Sequence, residues 1–71
     1  MTKETFLEKM ADILDAEEEI SFDTELSGLE EWDSLSIVSY IAMANASCGM
    51  KVDVKKVREA VTIGDLYDLL Q

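Results

Sequence analysis

The stretch Trp32-Asp33-Ser34-Leu35 places one serine at the junction between an acidic segment and a long run without charge. With Asp33 as N-cap, its carboxylate accepts a backbone N–H from the first helical turn, while Trp32 at N′ and Ile37 at N4 fit a hydrophobic staple. Ser34 is then N1, an exposed hydroxyl beside the positive end of the helix dipole and beside backbone donors that have no helical partner. A phosphodiester formed on that oxygen lies where an anion is favoured. The hydroxyl is badly placed to act by itself, because a serine nucleophile needs a base within reach and the chain has no histidine. These residues describe a serine that receives a group, and no catalytic residue is assigned.

Two other sets of residues are of types that could do chemistry. Asp23-Thr24-Glu25-Leu26-Ser27-Gly28 imitates the first half of a calcium loop, with Gly28 at the sharp turn. Its twelfth position, where a bidentate Glu belongs, is Ser34, so no metal site is assigned. Cys48 is the single cysteine, which rules out a disulfide within the chain. It falls where apolar packing is expected, and it receives no role.

The elements that must hold Ser34 follow from periodicity. Phe6, Leu7, Met10, Ile13 and Leu14 recur at helical spacing behind Thr2 as cap, with Glu4 near the positive end. Residues 16–33 keep no period, yet Ile20, Phe22, Leu26 and Leu29 are too apolar for a free linker and predict a long loop tucked against the helices. A second helix runs from Ser34, with Leu35, Val38, Ile41, Ala42 and Asn45 expected on its inner face and Gly49 as the residue that ends it. Ser36, Ser39, Tyr40, Met43 and Ser47 are then its outer face. Asp53 caps a short turn with Val54 and Val57 inward and Lys55, Lys56 and Arg58 outward. Thr62 and Asp65 form a start like a capping box for a last helix striped by Ile63, Leu66, Leu69 and Leu70. The pattern predicts an all-α bundle of three main helices plus one short one, with a long first connection, as one domain over residues 1–71.

Seventy-one residues with a net charge of −10 bound the function further. A chain this short has little room for a deep active site. Residues 1–33 hold twelve acids against Lys3 and Lys9, residues 34–50 hold no charge, and residues 51–71 balance four bases against four acids, so the net charge lies before Ser34. Such a surface repels nucleic acid and anionic lipid, and it suits basic enzyme surfaces. Each acid of Glu17-Glu18-Glu19, taken alone, reads as a solvated surface residue. The run from Ser34 to Met50 is too short and too rich in serine to span a bilayer. Lys3, Glu4, Glu8 and Lys9 stand where a signal peptide would be apolar, and with the lone cysteine they lead to an expectation of a reducing cytosol and a monomer.

The Asp33-Ser34-Leu35 triplet, in order with an amphipathic first helix, an acidic loop and a last helix introduced by Thr62-Ile63-Gly64-Asp65-Leu66, resembles the acyl carrier protein family. The resemblance covers nearly the whole chain. It implies a carrier without enzymatic activity. Ser34 would take a covalent 4′-phosphopantetheine arm from coenzyme A through a phosphopantetheinyl transferase, with Asp33 and Leu35 as the flanking motif. Acyl-loading and acyl-processing enzymes would be the other partners, in fatty-acid, polyketide or related synthesis. A peptidyl or aminoacyl carrier of a specialised pathway is an alternative, as is an unmodified acidic interaction domain in which Ser34 belongs only to a cap. Many members bear acids on the exposed face of the second helix. Here Asp33 is the only acid at that place, so Trp32, Tyr40 and Met43 are expected to dock partners through an apolar patch. Met10, Val38, Ile41, Ala42, Val57 and Ile63 could line a slot that shelters an acyl chain.

Overall fold

The computed structural model describes residues 1–16 and 19–70; Glu17 and Glu18 of the acidic run lie outside the described residues. Helix α1 spans Lys3–Leu14, α2 Ser34–Cys48, α3 Val54–Glu59 and α4 Ile63–Asp68, with a 3₁₀ turn at Leu26–Gly28. Among the described residues, β pairing is confined to one isolated antiparallel bridge between Glu25 and Thr62. The described residues form an all-helical fold, with two long helices and two short ones. The last helix is as brief as α3, and the chain continues past Asp68 as a turn.

Local chemistry sets most of the boundaries. The Thr2 hydroxyl accepts the Thr5 N–H at 3.2 Å to open α1, and the Asp53 carboxylate accepts the Lys55 N–H at 2.9 Å to open α3. At α4 the box is complete: Thr62 Oγ1 accepts from Asp65 N, while Asp65 Oδ2 accepts the N–H groups of Thr62 and Val61. Those backbone donors hold the Asp65 carboxyl below its ordinary range. Helix α2 stops at Gly49, whose φ of 64° is left-handed and whose N–H returns to the Ala44 and Asn45 carbonyls.

The core gathers Phe6, Met10 and Leu14 from α1, Tyr40 from α2, Val57 from α3, and Ile63 and Leu66 from α4, with Leu26 from the long loop. That loop is anchored as its apolar residues predict. Leu26 N–H donates to Val61 O, Ile63 N–H to Thr24 O and Gly64 N–H to Phe22 O, at 2.8, 3.1 and 2.9 Å. Gly64 permits the last contact, since a Cβ there would stand 3.1 Å from the Phe22 carbonyl oxygen. Phe22 also meets Phe6 and Tyr67 in an aromatic trio with centroid separations of 5.2–6.2 Å. The loop is thereby fixed to the junction of α3 and α4, and it delivers residues 30–33 to the head of α2. Val54 departs from its expected inward position and is 44% exposed, because the six-residue α3 turns one valine, Val57, fully inward.

Candidate functional site

Asp33 is extended, with φ −133° and ψ −171°, and its Oδ1 accepts the Ser36 N–H at 3.0 Å, the geometry of an N-cap. Its own carbonyl receives the Ile37 N–H at 3.0 Å and starts the helical ladder. The Ser36 backbone N–H holds the Asp33 carboxyl below its ordinary range; desolvation opposes it, and the Ser36 hydroxyl and the Leu35 N–H lower it further by smaller amounts. Ser34 therefore stands at N1 and is exposed, as is Leu35 after it. Trp32 and Ile37, the two staple residues, are both half-buried against the core. Trp32 also sets its ring edge-to-face on Tyr40, at 6.4 Å and 73°.

The facing of α2 is opposite to the one expected from its sequence. Its buried positions are Ser36, Tyr40 and Ala44, one per turn. Leu35 and Val38 are 75% and 63% exposed, and Ala42 and Asn45 lie outward with them, leaving only Ile41 of the expected inner face half-buried. The physical reason is that α2 carries no charge, so it has no strongly hydrated side to mark the surface, and small serines and alanines can pack where a bundle is tight.

Tyr40 is accordingly corrected as a docking residue. It is fully buried, and its hydroxyl donates to the Leu66 carbonyl at 2.6 Å. That carbonyl is among the last four of α4, which have no N–H to receive within the helix, so the phenol supplies the missing donor. Burial pushes the phenol's pKa well up, with Cys48 adding to the shift. Met43 is half-buried and packed on the core, as is Trp32. These three residues do not form an exposed patch. The expected slot does not close either, since Met10, Val57 and Ile63 are core while Val38 and Ala42 face solvent. Two recesses, of about 490 and 390 Å³, are walled by other residues: one by the loop around Ile20, Leu29 and Glu30, one by α3 and α4 around Ala60 and Leu69.

Ser36 is the residue that sequence reasoning misplaced on the outer face. It is the buried polar residue of this region, 6% exposed. Its hydroxyl donates to the Glu31 carbonyl and lies 3.3 Å from Asp33 Oδ1. Its position offered a signal, because N3 side chains reach back over the N-cap.

The head of α2 fits a covalently attached phosphate ester. The hydroxyl is exposed, the cap is made by a neighbouring side chain and leaves Ser34 free, and the fifteen-residue helix presents its positive end there. Among the described residues, no helix is long and apolar enough to cross a membrane. A family model described as a phosphopantetheine attachment site matches residues 4–70. No curated protein and no solved structure matches the chain.

Proposed function

Because the chain belongs to the phosphopantetheine attachment-site family, acyl-carrier-like domains that take a covalent 4′-phosphopantetheine, we propose that Ser34 is the residue that carries the arm. Carrier domains of this family meet modifying and acyl-processing enzymes and are generally not catalytic. The observation that carries the assignment is the exposed N1 hydroxyl behind the Asp33 cap. Ser34 Oγ would attack the pantetheine-side phosphorus of the coenzyme A pyrophosphate, forming the phosphodiester as the pyrophosphate P–O bond breaks and adenosine 3′,5′-bisphosphate leaves, while the hydroxyl proton passes to a base of the modifying enzyme; this chain has no histidine to take it. The Asp33 carboxylate holds the first turn, and Leu35 stands outward beside the acceptor. When bound, the arm supplies a terminal thiol on which acyl groups are held as thioesters. The chain's own contribution is tethering, which raises the effective concentration of cargo at each partner.

In this reading the domain is a non-enzymatic, monomeric acyl carrier of fatty-acid, polyketide or related synthesis. A reducing cytosol suits its lone Cys48. The uncharged outer face of α2 favours a second reading, a peptidyl or aminoacyl carrier whose partners recognise apolar surface. Loading assays with acyl-activating and amino-acid-activating enzymes separate the two.

Incubation with coenzyme A and a permissive phosphopantetheinyl transferase, followed by intact mass, tests the attachment. The wild-type chain should gain the mass of one arm and Ser34→Ala none. A gain that survives Ser34→Ala overturns the assignment. The variant should fold normally, because the cap rests on Asp33 and an exposed N1 hydroxyl contributes less than the N-cap.

A further inference from the structure

We infer that Ser36 is a positioning residue for Ser34: a latch that joins the acidic loop to the first turn of α2 and so fixes the direction in which the acceptor hydroxyl leaves the helix. The inference deepens the reading of Ser34 as the attachment residue and rests on it. A buried serine hydroxyl on a helix commonly turns to the carbonyl one turn back. Ser36 instead reaches out of the helix, past the N-cap and past Trp32, to the carbonyl of Glu31. Its backbone N–H meanwhile holds Asp33 Oδ1 at 3.0 Å, and its Oγ lies 3.3 Å from the same oxygen. One residue thus touches the two segments that flank Trp32, the loop strand at Glu31 and the cap at Asp33.

The hydroxyl has a single proton to give, so its two acceptors are alternatives. Donation to Glu31 leaves Asp33 Oδ1 to the backbone, and the loop and cap are then both satisfied. The other arrangement leaves the exposed Glu31 carbonyl to solvent and removes one tie between the loop and the first turn. The first is the arrangement the structure holds. Ser36 is itself 6% exposed, so its hydroxyl turns to these two acceptors, although Glu31 and Asp33 are exposed residues. Trp32, whose N–H donates to Leu29 O at 3.2 Å and whose ring leans on Tyr40, closes the other side of the same turn. Ser34 lies between these fixed points, two residues before the latch and one after the cap. Removing the latch leaves the helix its cap but loosens the approach of the chain to it. An acceptor displaced by a fraction of an ångström reacts more slowly even where encounter with the transferase is unchanged.

The test compares wild type with Ser36→Ala, Ser36→Cys and Ser36→Thr as substrates of a permissive transferase with coenzyme A, at a temperature well below each melting point. Ser36→Ala should lower kcat by roughly tenfold to a hundredfold with KM for the carrier little changed. Ser36→Thr, which keeps a hydroxyl, should restore most of it. Ser36→Cys keeps the volume with a weak donor, and it should show the same kcat loss if Ser36→Ala does not fold. Wild-type kcat in both donor-deficient variants overturns the latch while leaving Ser34 as the acceptor. A loss carried by KM alone also overturns it, because that is the mark of altered docking. An unchanged mass gain in a parallel Ser34→Ala sample would instead strike the reading on which the latch rests.

Discussion

Asp33 and Asp65 do the same work at two helix starts, accepting backbone N–H groups in a charged form that those donors stabilise. The sign of the pH effect follows. Both carboxyls are held below their ordinary values, so each contributes stability that is present above the unfolded value, about 3.9, and is lost as pH falls through the lower folded value. Asp33→Asn with Asp65→Asn keeps an acceptor at each cap and removes the titration. Thermal melts between about pH 2 and pH 6 should show the double variant losing less stability toward acid than wild type. Parallel curves would mean that neither cap supplies the acid sensitivity. These residues were legible in the sequence because a cap is a local event: Thr2, Asp33, Asp53 and Thr62 each act on an N–H two or three residues away. Ser36 was harder to read. Its partner carbonyl belongs to a loop whose path is set by Leu26 and Phe22 packing against distant helices.

At the scale of elements, α1 and α4 could be placed by their apolar stripes, whereas α2 could be bounded but not turned. Leu35, Val38 and Ala42 look like core in a list of residues. They lie outward because Tyr40 fills the interior and satisfies its hydroxyl on Leu66, a pairing twenty-six residues away that no local pattern encodes. The consequence is an apolar strip of Leu35 and Val38 that begins one residue after Ser34. Single exposed apolar residues need no explanation, but two on one face next to the acceptor define the first surface a partner reaching Ser34 would meet. Val38→Asp should leave the melting temperature close to wild type, since surface substitutions usually change stability by under about 0.5 kcal/mol. The same variant should reduce kcat/KM of the loading enzyme by roughly tenfold or more, as expected when a charge enters a desolvated contact. If Val38→Asp is loaded as well as wild type while neutralising Glu19, Glu30 and Glu31 together cripples loading, recognition runs through the acidic loop.

For the molecule as a whole, the net charge of −10 is the main opposing force that composition reveals. Crowded like charges resist compaction, and 0.1 M salt screens exposed charges over roughly 10 Å. Adding sodium chloride at neutral pH should therefore raise the melting temperature; a flat or falling trend would show that self-repulsion does not limit stability. The same asymmetry frames the function, since the excess of acids precedes Ser34 and α2 beyond it is neutral, so a partner meets charge on one side of the acceptor and apolar surface on the other. The account as a whole turns on a single oxygen. Its most direct test is fragmentation of the intact chain by mass spectrometry after co-expression with a permissive phosphopantetheinyl transferase. The fragment ions should place one 4′-phosphopantetheine on Ser34 and none on Ser36, Ser39 or Ser47; an arm on another residue, or a chain left unmodified, would contradict it.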